Sequence, residues 1–208
     1  MIKFLNVLFL IPIIIIGCKN TDIDDKKVSQ SINSLYMNIF SNEGKKLLSI
    51  NSPHSYYEKD KNTYNLKETK IYLFNDNESE YIITADNSRL SNNNKLLELN
   101  GNVLVKSQIK QDDNLHSNSF TWNIENSKFL LVGNVKFFNN SITLSSNKAI
   151  LNKTNNIIEF FNPVKYVIKG NQNNDKYEIN SENAYYNINT ETVSFRAKDK
   201  RVRSIIYF

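Results

Sequence analysis

Side chains that ordinarily carry catalysis are few in this 208-residue chain, which holds two His and one Cys. His54 and His116 lie in different segments, and neither stands beside a candidate nucleophile. Cys18 has no second thiol with which to share a metal, and the usual zinc-ligand spacings are absent. Glycine-rich phosphate loops are missing as well. The residues therefore point away from an enzyme and require no metal or cofactor. A formal charge of +5 permits contact with phosphate or an anionic membrane, but the 26 basic and 21 acidic side chains are interspersed. That is the pattern of a solvated surface, and it gives no reason to expect a nucleic-acid partner.

The most informative chemistry surrounds Cys18. Lys3 precedes an apolar run from Val7 to Ile16, and residues 1–17 read as a targeting segment. As a helix the run would cover about 15 Å, roughly half of a hydrocarbon core. It ends in Ile15-Ile16-Gly17-Cys18, which resembles a bacterial lipobox with Ile where Leu is usual. Two readings stay open: a lipoprotein signal with a diacylglycerol-bearing Cys18, or an uncleaved membrane anchor ending in a chance thiol. Both place the following residues outside the cytoplasm and attached to a membrane. Residues 18–33 are polar and aperiodic and read as a tether, and 34–208 as the folded body.

An apolar share of 40% is enough for a core, and the many Tyr and Phe favour strands. The body repeats one frame five times, starting at Ile50, Ile83, Leu115, Leu144 and Ile179. Each copy has an aliphatic residue first, a small residue third and a large apolar residue eighth: Tyr57, Leu90, Trp122, Leu151 and Tyr186. Seven residues further stand Tyr64, Leu97, Phe129, Ile158 and Val193, and two beyond those Leu66, Leu99, Leu131, Phe160 and Phe195. Apolar pairs at i and i+2 predict strands with one buried face, and polar runs such as Glu58–Asn62 and Ser91–Lys95 predict hairpin turns. Asn100-Gly101-Asn102, Gly133-Asn134 and Asn162-Pro163 suit bends, after which Val103 with Val105, Val135 with Phe137, and Val164 with Tyr166 point inward. Residues 28–40 carry apolar side chains at helical spacing and read as a short helix or a first strand. A plain packed core is the simplest reading of these columns.

A leader, a short tether and all-β repeats of about 30 residues resemble the lipopolysaccharide-transport protein C (LptC) family, whose repeats are shared by LptA/OstA-like proteins. The resemblance implies an elongated, open β-jelly roll of two antiparallel sheets whose apolar trough takes lipid acyl chains. It implies a trough formed by Ile83, Leu90, Leu97, Leu99, Val103, Leu115, Trp122, Phe129, Leu131, Val135, Phe137, Leu144, Leu151, Ile158 and Phe160. It also implies a place on the periplasmic face of the inner membrane, where lipopolysaccharide or a related glycolipid passes from the permease subunits of an ABC transporter to an LptA-type bridge protein. The closing stretch with Arg201, Val202, Arg203, Ile205 and Tyr207 would be the edge that pairs with the bridge. The competing class is a structural or glycan-binding surface lipoprotein with a packed β-repeat core. A cavity running along the inward columns distinguishes the two.

Overall fold

The computed structural model describes residues 29–76, 78–169, 176–197 and 201–207. They form strands β1 (Ser29–Phe40), β2 (Lys46–Glu58), β3 (Thr63–Asn75), β4 (Glu78–Ser91), β5 (Leu96–Ser107) and β6 (Asn114–Asn123). There follow β7 (Lys128–Phe138), β8 (Ile142–Asn152), β9 (Ile157–Lys169), β10 (Lys176–Asn187), β11 (Thr192–Arg196) and β12 (Arg203–Tyr207). Every strand pairs antiparallel with its sequence neighbour, giving one 12-stranded meander, except that β12 pairs with β10. β11 lies along Asn183–Asn187 and β12 along Lys176–Asn180, so the two make a single interrupted edge strand.

The repeated frame has a mechanical meaning. In each even strand from β2 to β10 the first and third positions precede an irregularity in the ladder, and the sixth and eighth follow it. In β4, Ile83 and Ala85 are buried before the break and Ser88 and Leu90 after it, so one extra residue lets the inward face continue although the parity changes. The small third residue serves the break itself. Ser52, Ser117, Ser146 and Ser181 donate their hydroxyls to the carbonyl oxygens of His54, Ser119, Lys148 and Asn183 at 2.8–3.0 Å, two residues on, which ties the chain across the break. On the facing odd strands, Gly101-Asn102 and Gly133-Asn134 take positive φ at the same line, as does Glu68 in β3.

These breaks align across the sheet into a crease, on which it folds into two leaves. The front leaf holds the rows through Ile50, Ile71, Ile83, Val105, Leu115 and Phe137, which are direct cross-strand partners. The rear leaf holds those through Leu90, Leu97, Trp122, Phe129, Leu151 and Ile158. Contacts between strands that are not sheet neighbours show the leaves face to face. Phe137 of β7 stacks on Tyr186 of β10 with centroids 4.5 Å apart, and Tyr166 of β9 meets Phe195 of β11 at 5.3 Å. The two expected sheets are thus halves of one sheet.

In each contact the rear-leaf partner lies further along the meander than the front-leaf partner, so the leaves are offset. The burial follows. Ile50 and Ile71 of the front leaf and Tyr186 and Ala184 of the rear leaf are fully buried at opposite ends, whereas rear-leaf Tyr57 and Tyr64 and front-leaf Ile179 are only partly covered.

The segment that read as helix or first strand is β1. Its helical spacing comes from the same break: Ser34 has φ 55°, so inward Ile32 is followed by inward Leu35, while Tyr36 and Phe40 lie on the outer face and are exposed. The strand reaches back to Ser29, into the stretch read as tether.

Candidate functional site

All the residues assigned to a trough come together. Each of the fifteen, from Ile83 to Phe160, is buried, and they belong to one apolar cluster between the leaves. Aromatic rings set its rear wall, where Trp122 meets Phe129 edge-on at 4.9 Å and donates its indole N–H to the Asn126 carbonyl at 2.8 Å. The leaves lie closed on one another. The cavity among Tyr81, Asp113, Leu115, Phe137, Leu151 and Ile158 measures about 30 Å³, room for about one water, so no continuous cavity that would set a trough apart from a packed core opens at this point between the leaves. Closure has a plain cause: two apolar faces bury surface against each other at about 25 cal/mol per Å². The interior is least covered at the offset ends, where the rings of Tyr57 and Tyr64 lie 4.6 Å apart and Tyr166 borders the partly covered Ile179.

Opposite the crease, the hairpin tips form a mouth that polar ties hold shut. Lys110, between β5 and β6, reaches across to the Ile188 carbonyl and the Glu191 carboxylate, each at 2.6 Å. Lys153, between β8 and β9, pairs with Glu80 of the front leaf at 2.9 Å. Beneath these ties burial pushes the Asp113 carboxyl above its usual range, opposed by a hydrogen bond from the Asn139 amide at 3.0 Å. Burial also raises the Tyr81 and Tyr186 hydroxyls, with the negative charge of Asp113 adding to it in both. Sequence reasoning missed these groups because their pairing depends on which tips the fold brings together.

The lipidation candidate Cys18 lies outside the described residues. Of the expected partner edge, Arg203, Ile205 and Tyr207 fall on β12, whose backbone pairs on one side with β10, while Arg201 and Val202 precede the strand and are exposed. Among the described residues no group of His, Cys, Asp and Glu could hold a metal ion. No helix among them is long and apolar enough to cross a membrane.

The sequence model for lipopolysaccharide-assembly, LptC-related proteins matches residues 7–130, more than half of the chain. The chain belongs to that family. It is accordingly a component of lipopolysaccharide transport, working in the cell envelope. A model for OstA-like proteins matches residues 104–204, so the two together cover residues 7–204 and nearly all the strands. The fold of this LptC-related chain is similar to the crystal structure of LptH, the LptA-homologous periplasmic component of the conserved lipopolysaccharide transport device from Pseudomonas aeruginosa. That likeness has a TM-score of 0.50 at 14% identity, over 61% of this chain and 94% of the other. No curated protein sequence matches the chain.

Proposed function

We propose that the chain is the periplasmic lipopolysaccharide-binding component of the inner-membrane export machine, accepting lipid from the permease subunits of the ABC transporter and passing it to an LptA-type bridge protein. The observation that carries this reading is the single apolar interior between two leaves that are joined at a crease and left partly uncovered at opposite ends. Burying a methylene contributes about 0.8 kcal/mol, so releasing one acyl chain of about a dozen carbons into water costs on the order of 10 kcal/mol. Sliding that chain along an apolar channel, or into a similar one, keeps it buried throughout and avoids the cost. The leaves need only exchange contact with each other for contact with lipid. Such a carrier works without catalytic residues.

The uncovered edge strands serve the handover. β12 on one side and β1 on the other each have a backbone edge with no described strand partner, and an added strand there would continue the sheet and its inner face into the next protein. Attachment at the N-terminus, by lipid on Cys18 or by a retained leader, keeps the body beside the transporter. Native mass spectrometry of the protein extracted from membranes tests the reading. Co-purified phosphorylated, multiply acylated glycolipid is expected, and transfer of that lipid to a bridge protein follows. Purification with no lipid, from cells that contain it, would overturn the proposal.

A further inference from the structure

The outer surface of the front leaf has a charge pattern that lipid transport through the interior does not use. One unbroken line of cross-strand partners runs over it from Tyr36 through Lys70, Leu104, Lys136 and Lys165 to Arg203. This row contains no carboxylate. In the next outer row Lys106 stands near half-buried Tyr72, Ile82 and Phe138, and the acidic member there, Glu178, is held by Lys165 at 2.8 Å. Lys46 adds a further cation, seated 4.3 Å over the Phe74 ring, and Lys70 and Lys136 lie 5.2 and 5.7 Å from the rings of Tyr72 and Phe138.

The other described carboxylates near this leaf sit on the crease, as Glu68, Asp86 and Glu182 do, at hairpin tips or the strand ends beside them, as Glu43, Asp76, Glu78, Asp112 and Asp113 do, or, in Glu80 of β4, buried and paired with Lys153. Discounting the Lys165–Glu178 pair, the face presents Lys46, Lys70, Lys106, Lys136 and Arg203, and among the described residues no carboxylate other than Glu178 lies in its two outer rows. The outer rows of the rear leaf differ. The first of them carries Lys67, Lys148 and Arg196 without a carboxylate, but the rows beyond set Arg89 and Lys128 against Glu58, Glu98 and Glu159. The excess of positive charge is therefore larger on the front face than on the rear one.

We infer that the outer face of the front leaf lies on an anionic phospholipid surface. Evenly spread lysines on a broad sheet, interleaved with half-buried aromatic and aliphatic side chains, match a plane of lipid phosphates whose spacing is not fixed, and the rings suit the headgroup layer. A protein partner with a fixed acidic patch would need cations clustered to meet it. The inference stands independently of whether the interior takes lipid.

The test uses the full chain anchored in vesicles by its own N-terminal segment. An environment-sensitive dye is attached to Thr84→Cys, a member of the front outer row, or to Thr121→Cys on the rear outer face, and quenching by headgroup-labelled lipid is measured. Any dye on Cys18 contributes equally to both. With about one-third phosphatidylglycerol in phosphatidylcholine, strong quenching is expected at Thr84 and weak quenching at Thr121, the difference fading as salt rises. Lys70→Gln and Lys136→Gln, both exposed, should each lower the docked-to-free ratio by about fivefold. Equal quenching at the two sites, or the same Thr84 signal in pure phosphatidylcholine, overturns the inference and leaves the face to an acidic protein.

Discussion

The crease makes a quantitative prediction. Gly101 has φ +81°, and a methyl group there would stand 2.5 Å from Asp86 Oδ2 and 3.0 Å from Asp86 Cβ. Asp86 would have to move, breaking the 2.8 Å hydrogen bond that its carboxylate accepts from the Asn102 amide. Gly44 has nearly the same φ, +79°, with nothing within 4 Å. An alanine in the left-handed region costs about 1–2 kcal/mol, partly offset by the lower entropy of the unfolded chain. Gly44→Ala should therefore destabilise by about 1 kcal/mol. Gly101→Ala adds the lost hydrogen bond, about 1 kcal/mol, and a similar cost for displacing the carboxylate, for a total of about 3 kcal/mol. Urea unfolding followed through the single tryptophan, the buried Trp122, reads the difference as a midpoint shift of about 1 M. In an Asp86→Gly background, which removes the Cβ as well as the carboxylate, the cost of Gly101→Ala should fall to that of Gly44→Ala. Equal costs for the two glycines in the native background would refute the claim that Asp86 closes on the break.

Three further outcomes follow from named groups. The Tyr186 hydroxyl is buried with no hydrogen-bond partner while its ring packs on Phe137, so Tyr186→Phe should raise stability by about 1 kcal/mol in the same urea assay. Burial raises the Asp113 carboxyl in the folded state above its unfolded value, so its contribution to stability is present at low pH and is lost as pH rises through the folded pKa. Asp113→Asn should accordingly stabilise the protein at neutral pH and flatten unfolding midpoints measured between about pH 4 and pH 7. Deleting Val202–Phe208 removes β12, which touches β10 alone, and should abolish binding of the bridge protein in a pull-down while leaving the Leu131 region of the interior intact.

Much of this fold is legible in the sequence because the frame records the fold's mechanics. The step of three from Ser52 to Ser55, or from Ala85 to Ser88, is the trace of one extra residue at the crease, and the repetition of that step in five copies marks it as architecture. The same step in β1, from Ile32 to Leu35, occurs without a full frame around it and so passes for a helical turn. The offset between leaves is not legible, because the meeting of Phe137 with Tyr186 depends on twist and not on local spacing. For the same reason the ties of Lys110 and Lys153 across the mouth cannot be read from their neighbours in the chain. Asn62, Asn92, Asn93, Asn94 and Asn156 take positive φ at hairpin tips, a role for Asn that its abundance alone does not reveal. The burial of the fifteen inward residues is legible because burial in a strand follows from parity once the breaks are placed.

Photo-crosslinking in cells tests most directly whether the interior carries lipid. A photoreactive residue replacing Leu131, which is fully buried on β7 at the centre of the rear leaf, should capture lipopolysaccharide, whereas the same residue at Lys128, exposed at the start of that strand, should capture little or none. Equal capture at the two positions, or capture at Lys128 alone, would contradict the account.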